Sequence, residues 1–560
     1  MKKREKLIYT FFYYHIPELI ASGILLWFIH STLFSIFCNL IRLTDQHTMY
    51  RISYYIFNFG LLILWILSVS IFIRNKIYYY FTNRHYRYDH RAFQKSFSEL
   101  IKFFSHSNPY RIKSTDLPIE DWKTADGVIL CKYKDRLGKY HLLTRPSDAP
   151  GNLISFGLPG SGKSTTQAAT TALRFNHGEC GVFAISIKGD LLNFIKGKRK
   201  NLKVFTPDKE DGSCHYNPLD GVKDMNWTDR RKFAENLSII ICPEEHGENS
   251  AFFVNGSRDY LAGIILYLLH LHDTDQRPGD LQFHEIVDLI LSTNIFDITT
   301  TIQKCNNTIP GEYTNGYIGS SEKNCAGIWA HLCQQIRPFN TGALRVLFDG
   351  KGDCITPDYL THGDIIIDVP QDKYQIYAPA MAIIITNFLQ AFMRRDDVSS
   401  GKKIKPCLFL LDEAIQLKLD FSILSQAMST LRSKKISLFL LMQSTAQLSR
   451  CYGEIQAREL LDLCAYISVF NAQDIGSRNY FQQLIGKEKI LKVSTSILDP
   501  EHRDNKHLAQ NITVSECDQY IFESADFGQL DTVQNGKTIK RVLVYANGKY
   551  ILGETTPCYL

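Results

Sequence analysis

A glycine-rich turn that ends in lysine and serine is the segment of this chain best suited to bind phosphate. Residues 157–164 read GLPGSGKS and match the pattern G-x-x-x-x-G-K-[ST]. Glycines let the backbone wrap a phosphate chain, whose charge is met by loop N–H groups and by the N-terminus of a following helix. The predicted ATP-contacting residues are Gly157, Pro159, Gly160, Ser161, Gly162, Lys163, Ser164 and Thr165.

Two side chains of this turn have predicted chemical roles. Lys163 would contact the β- and γ-phosphates of ATP, and the Ser164 hydroxyl would coordinate Mg²⁺. The apolar run Leu153–Phe156 predicts a buried strand that enters the turn, and residues 165–174 (TTQAATTALR) predict a helix that leaves it. An ordinary glycine-rich turn is the alternative, and it would require neither element.

Two adjacent carboxylates, Asp412 and Glu413, follow the apolar run 408–411 (LFLL). A buried strand would deliver them to the carboxyl-terminal edge of a sheet. There Asp412 would bind Mg²⁺, often through a water, and Glu413 would orient and deprotonate the attacking water. Apolar runs that end in Asp-Glu are common, so the pair indicates a nucleotide site only in combination with the glycine-rich turn 157–164, hereafter the phosphate loop. Together they predict ATP hydrolysis.

Downstream of these carboxylates lie two further candidates, Arg432 and Gln443. Residues 421–434 have helical character, and the apolar run Ile436–Met442 predicts a buried strand that ends at Gln443. An amide at that edge could sense the γ-phosphate. Arg432 could act as an arginine finger on the nucleotide of a neighbouring subunit. The alternative for Arg432 is a solvated side chain at a helix end.

Two uncharged runs near the N-terminus, residues 19–41 and 52–73, predict a transmembrane hairpin. Each is near the ~20 residues that cross a bilayer core, and one ionised side chain there would cost roughly 2.5–3.5 kcal/mol. Basic residues precede the first run and follow the second, whereas only Arg42 and Arg51 lie between them. Both ends of the chain should therefore be cytoplasmic. A cleaved signal peptide is the alternative for the first run.

Composition sets weaker limits on the protein. The 560 residues predict several structural units, and the net charge of +6 permits a nucleic-acid or acidic-lipid partner without requiring one. The fourteen cysteines include no C-x-x-C pair. They therefore indicate neither a zinc site nor a disulfide framework, but buried thiols in a reducing cytoplasm.

These motifs resemble the type IV coupling proteins, the TraG/TraD/TrwB-like ATPases of conjugation and type IV secretion. The likeness extends beyond the two ATPase motifs to Lys188-Gly189-Asp190, Asn217-Pro218-Leu219, Asp368-Val369-Pro370 and Gln443-Ser444. One departure is Ser186-Ile187, where the family usually has Asp-Pro. The resemblance implies an α/β fold with a RecA-like P-loop NTPase core, an inserted all-α domain and a hexameric ring. It also implies a trans-acting Arg432 and a nucleotide-sensing Gln443.

The predicted domain organisation follows from these patterns. A cytoplasmic N-terminus (1–18) precedes the hairpin (19–75) and a juxtamembrane segment (76–139). Residues 140–222 and 346–560 form the nucleotide-binding domain. Between them, strand signals stop and helical patterns at 231–241, 257–271 and 283–291 predict the inserted domain, 223–345. The aromatic pair Phe252-Phe253 is expected to pack in the core of that domain.

The expected protein is a coupling ATPase of the bacterial inner membrane. The resemblance implies that it docks relaxase-bound single-stranded DNA, protein effectors or both, and delivers them to type IV secretion channel components. Two alternatives remain open. One is a double-stranded DNA translocase of the FtsK type. The other is a membrane receptor that holds nucleotide without hydrolysing it.

Overall fold

The computed structural model describes residues 119–120, 125–134, 140–149, 151–187, 189–243, 250–401, 404–497, 510–534, 537–546 and 548–555. The predicted hairpin lies outside the described residues, as do Lys188 and most of the predicted juxtamembrane segment. Within the described part, one helical stretch, Gln371–Met393, is long and apolar enough to span a bilayer. Most of it is buried in the protein core, which is the environment of a core helix.

The strands of the described part belong to one large sheet and two small ones. They are β1 (Ile119–Glu120), β2 (Val128–Lys134), β3 (Tyr140–Arg145), β4 (Leu153–Phe156), β5 (Val182–Ile187), β6 (Leu202–Phe205), β7 (Asp364–Val369), β8 (Cys407–Leu411), β9 (Ile436–Met442), β10 (Tyr466–Val469), β11 (Lys487–Ile497), β12 (Gln510–Tyr520), β13 (Thr532–Gln534), β14 (Lys537–Ile539), β15 (Arg541–Ala546) and β16 (Lys549–Glu554).

The large sheet has twelve strands in the order β1-β3-β2-β16-β15-β10-β4-β9-β8-β5-β7-β6. The strands from β10 to β6 are mutually parallel. Those from β1 to β15 pair antiparallel, and β15 also pairs antiparallel with β10. The parallel strands therefore end at one common edge, which is where α/β sheets bind their ligands. Because β1 and β2 belong to this sheet, the sheet begins at residue 119. The sequence predicts a later start, at residue 140, for the nucleotide-binding domain.

All parallel strands except the edge strand β6 are buried on both faces, which explains their largely apolar sequences. In β5, for example, Phe183 and Ile185 pack in one core cluster, whereas Val182 and Ala184 pack in the other. The first cluster continues into the helices that follow β6. The second includes residues of the helix that follows the phosphate loop. The loop and its helix are thereby held on a rigid central layer.

Fourteen α-helices accompany these strands in the described part. They are α1 (Ala169–Arg174), α2 (Asp190–Ile195), α3 (Trp227–Ile241), α4 (Ser250–Asp273), α5 (Phe283–Ser292), α6 (Ile295–Gln303), α7 (Ile309–Thr314), α8 (Glu322–Ile336), α9 (Gly342–Leu347), α10 (Tyr374–Met393), α11 (Phe421–Thr430), α12 (Thr445–Tyr452), α13 (Glu454–Asp462) and α14 (Ile475–Ile485).

Helices α3 to α9 all lie between β6 and β7 in the chain, where helical periodicity replaces strand signals in the sequence. The predicted helical segments 231–241, 257–271 and 283–291 lie within α3, α4 and α5, respectively. The prediction for the aromatic pair is half confirmed. Phe253 packs against the core, but Phe252 is 44% exposed.

A buried ion pair ties the helix of the phosphate loop to the sheet. Arg199 donates from Nε to Asp364 Oδ2 (2.6 Å) and from Nη2 to Oδ1 (3.0 Å), and both side chains are at most 1% exposed. Nη1 of the same arginine donates to the carbonyls of Ala172 and Phe175 at the end of α1. Helix α1 continues from the phosphate loop, so this ion pair fixes the position of the helix that carries the loop.

Replacing Arg199 with Met should lower the free energy of unfolding by about 3–5 kcal/mol, because Asp364 would keep a buried charge without its partner. Urea denaturation followed by circular dichroism measures the change. The matched control is Lys223→Met, which removes an exposed pair with Asp280 (2.7 Å) and should leave the unfolding curve nearly unchanged. Equal shifts in the two variants would show that burial does not set the strength of the Arg199 pair.

Candidate functional site

The glycine-rich turn lies at the common edge of the parallel strands. It follows β4, and the Gly157 N–H donates to the carbonyl of Met442, the last residue of β9 (3.2 Å). Gly160 and Gly162 have φ angles of +76° and +101°, a region that residues with a side chain rarely adopt. A Cβ atom on Gly157 would lie 2.7 Å from the Cβ of Phe470. The turn therefore needs its glycines for conformation and for space.

The helix that leaves this turn starts at Lys163. Its first turn, Lys163–Ala168, is a π-helical turn, and α1 continues from it. The predicted helix at 165–174 is therefore present, with a widened first turn. Such turns are rare and occur frequently at functional sites. Hydroxyl groups of Thr165 and Thr166 donate to the Gly162 carbonyl at 3.4 and 2.6 Å, which joins the turn to the helix.

The predicted phosphate and metal residues lie together. Lys163 is 7% exposed, and its Nζ donates to the carbonyls of Gly157 and of Leu158 (3.1 Å). The Ser164 hydroxyl donates to Asp412 Oδ2 at 3.0 Å, although the two residues are 248 positions apart in sequence. Asp412 follows β8, which is separated from β4 by β9 alone. The two predicted Mg²⁺ ligands thus share one site.

Glu413 and Gln443 form the second contact of the site. Gln443 follows β9, next to β8, and its Nε2 donates to Glu413 Oε1 at 2.9 Å. Glu413 has a φ of +50°, an uncommon conformation for a residue with a side chain. Such backbone strain concentrates at functional sites. In the part of the chain that the structure describes, its other oxygen, Oε2, accepts only a long contact of 3.4 Å from Gln416 Nε2.

Burial sets the charge balance of the site. It raises the pKa of Asp412 above the ordinary 3.8, and the hydrogen bond from Ser164 opposes this change. Burial also lowers the pKa of Lys163, whereas the charges of Asp412 and Glu413 oppose that shift. A carboxylate held in a buried position is costly unless a cation or donors compensate it. The site is therefore suited to a divalent cation.

The local donor set also fits a triphosphate. Ser161 Oγ is buried and has no hydrogen-bond partner among the described residues. An added Cβ on Gly160 would meet no heavy atom within 4 Å, so the turn is open there. The open turn thus carries a buried hydroxyl, that of Ser161, and a buried ammonium, that of Lys163. Phosphate oxygens are acceptors that satisfy such donors.

Replacing Asp412 with Asn should stabilise the protein in the absence of added Mg²⁺. In the folded parent, the pKa of Asp412 is raised above 3.8. The free energy of unfolding therefore falls as the pH rises from 3.8 through that raised pKa, because the buried carboxyl must then ionise. An amide can keep the contacts to Ser164 and the Glu413 N–H without charge. The gain in melting temperature should therefore grow from acidic to neutral pH. Asp211→Asn, at an exposed position, is the control, and a gain that is independent of pH would contradict this explanation.

Arg432 lies away from the other predicted site residues. It precedes β9, and this strand reaches the phosphate loop only at its far end, seven residues or roughly 23 Å later. The side chain is exposed and lines an open cleft of about 630 Å³ with Arg145, Asp397 and Ser433. Arg432 therefore cannot reach the nucleotide site of its own subunit. The exposure of Arg432 agrees with the alternative of a solvated side chain. An arginine finger that contacts the nucleotide of a neighbouring subunit would also have to be exposed.

Two residues at the loop were not identified from the sequence. The carbonyl of Asn471 accepts from the Leu158 N–H (3.3 Å), and Lys540 Nζ donates to the Gly160 carbonyl (2.5 Å). Asn471 could have been noticed as a polar residue just after the buried strand β10. No local pattern marks Lys540, because its position depends on how β15 returns beside β10.

A largely parallel sheet with a glycine-rich loop at its carboxyl edge and an Asp-Glu pair two strands away defines the P-loop class of α/β proteins. The family model for type IV secretory system conjugative DNA transfer matches residues 119–549. The chain belongs to this family.

Relatives in this family share limited sequence identity with the chain. The type IV secretion system-coupling protein VirD4 of Bartonella henselae is 22% identical over 356 residues, which cover 62% of this chain and 54% of that protein. VirD4 of Bartonella quintana is 21% identical over a segment of the same length. The matched segment thus spans about half the length of these relatives.

Solved structures show the same fold. The bacterial conjugative coupling protein TrwB is 13% identical, with a TM-score of 0.55, over 82% of this chain and 91% of that one. TrwB in complex with ADP and Mg²⁺ has a TM-score of 0.54 over 82% of this chain and 91% of its own. At this identity the likeness establishes the architecture alone.

Proposed function

We propose that this chain is the coupling ATPase of a type IV secretion or conjugation system. It would recruit DNA–relaxase complexes or protein substrates and drive their delivery to the channel by ATP hydrolysis. The observation that carries this proposal is the contact of Ser164 with Asp412 at 3.0 Å, beside the contact of Gln443 with Glu413 at 2.9 Å. The first contact joins the phosphate loop to Asp412, and the second holds the neighbouring carboxylate of Glu413. Mg²⁺-dependent hydrolysis would use both carboxylates.

ATP and Mg²⁺ are the proposed cofactors. Bound at the loop, the cation would draw electron density from the transferred phosphoryl group. Lys163, Ser161 and the loop N–H groups would hold the phosphates, and Ser164 with Asp412 would hold the cation. Glu413 would accept a proton from water at Oε2, while Gln443 keeps Oε1 in place. The complexes of TrwB with ADP and Mg²⁺ and with an ATP analogue support this assignment.

The proposed organisation joins a motor to a membrane anchor. We assign the sheet, from residue 119 onward, to a RecA-like core and residues 223–345 to an inserted helical domain. Residues 19–75 would form the transmembrane hairpin, with both termini cytoplasmic and the bilayer being the bacterial inner membrane. The uncharged runs and basic flanks support this topology.

A ring is the proposed assembly. Arg432 lies at the amino-terminal edge of the sheet, whereas the phosphate loop lies at the carboxyl-terminal edge. A head-to-tail arrangement of subunits brings such opposite surfaces together, and it closes when the rotation permits. We propose a hexamer in which Arg432 contacts the nucleotide of the next subunit.

The test of this function is to identify the cargo in living cells. Cells that transfer a plasmid or export an effector would be treated with formaldehyde, and the protein would be isolated under denaturing conditions. The transferred strand or the exported protein should be recovered with it, well above chromosomal DNA and resident cytoplasmic proteins. Recovery of neither cargo would remove the coupling role. Recovery of chromosomal DNA without preference would favour the FtsK-type translocase.

A further inference from the structure

Lys540 is a basic residue of the C-terminal strands that contacts the phosphate loop. It lies between β14 and β15, and its Nζ donates to the Gly160 carbonyl at 2.5 Å. Its Cδ lies 3.5 Å from the position that a Cβ of Gly162 would occupy. In the part of the chain that the structure describes, Lys540 forms no salt bridge with a carboxylate. Its charge is therefore directed at the loop and remains available to an anion.

Sheet topology places Lys540 at this edge. Strand β15 pairs antiparallel with β10, which is parallel to β4. The start of β15 therefore lies at the same edge as the end of β4, where the phosphate loop begins. A residue immediately before β15 can contact a ligand of the loop, although about 380 positions separate it from Gly160.

The peptide group that joins Lys540 to Arg541 is held by hydrogen bonds. The Lys540 carbonyl accepts from the Thr555 N–H at 3.0 Å and from its hydroxyl at 3.3 Å. The next N–H, of Arg541, donates to Asp531 Oδ1 at 3.0 Å. Asp531 Oδ2 in turn accepts from Asn471 Nδ2 at 2.8 Å, and the Asn471 carbonyl binds the loop N–H of Leu158. The residue is thus connected to the loop by a continuous set of contacts.

We propose that Lys540 is a second phosphate-binding cation of the nucleotide site, supplied by the same subunit. Lys163 contacts the first two residues of the turn, whereas Lys540 contacts the fourth, so the two ammonium groups approach the loop from different positions. The ligand class is a nucleoside di- or triphosphate. This inference rests on the proposed nucleotide-binding function and adds to it a residue that no motif of the loop contains.

Substitution of Lys540 by Gln and by Arg tests this role through nucleotide affinity. Lys540→Gln should weaken binding of a fluorescent ATP analogue and of ADP by roughly tenfold or more, the usual effect of losing a hydrogen bond to a charged group. Lys540→Arg should stay within about threefold of the parent, because it retains the charge. Melting temperatures without nucleotide should be the same in both variants. Lys351→Gln, at an exposed position away from the site, is the matched control.

The outcomes separate this inference from the function on which it rests. If the parent binds nucleotide and Lys163→Ala does not, the site is confirmed, and unchanged affinity in Lys540→Gln then overturns the role of Lys540. An equal loss in the Gln and Arg variants, accompanied by lower melting temperatures, would also overturn it, because the residue would then only support the loop. If the parent binds no nucleotide, the proposed function itself fails.

Discussion

The Glu413→Gln variant should hydrolyse ATP about 10²–10⁴ times more slowly than the parent protein, which is the usual contribution of a general base. Gln443 holds Oε1 of this carboxylate at 2.9 Å, and Oε2 is the oxygen left to take a proton from water. An amide of the same shape lacks that basic oxygen. Phosphate release under saturating ATP and Mg²⁺ measures the effect.

Nucleotide binding should survive this substitution, because Lys163, Ser164 and Asp412 remain in place. Titration with a fluorescent ATP analogue should give an affinity close to that of the parent. Glu454→Gln, at an exposed position at the start of α13, is the matched control and should keep full activity. If phosphate release is unchanged in Glu413→Gln, the base lies elsewhere and the assignment of the carboxylate pair is wrong.

The Arg432→Ala variant should lose about 10³–10⁵ in ATPase rate, the range reported for arginine fingers. Within one subunit, Arg432 lies roughly a strand length from the phosphate loop, so its effect requires a neighbouring subunit. Nucleotide affinity of the isolated subunit should not change. Arg450→Ala, which removes an exposed arginine at the end of α12, is the matched control.

Mixed assembly distinguishes a finger from a residue that only stabilises its own subunit. Arg432→Ala supplies an intact phosphate loop, and Lys163→Ala supplies an intact arginine. In rings assembled from equal amounts of the two, roughly a quarter of the interfaces should combine both intact groups. Activity should therefore reappear on mixing. A mixture no more active than its separate components would contradict a role in trans.

The sequence by itself determined the local parts of the site. The turn of residues 157–164, the strand before it and the helix after it are encoded within about 25 residues, because glycine spacing and apolar periodicity act over short distances. Strand β9 and helices α3, α4 and α5 were predicted for the same reason. The pairing of Asp412 with Ser164 was also expected, since parallel strands bring their ends to one edge.

Tertiary structure decided the contacts that depend on strand order and direction. The antiparallel return of β15 places Lys540 at the loop, and no pattern near residue 540 indicates this. The contact of Glu413 with Gln443 likewise follows from the adjacency of β8 and β9. The position of Arg432, at the opposite edge from the phosphate loop, depends on the direction of β9. Such relations join residues distant in sequence, so only the packed sheet specifies them.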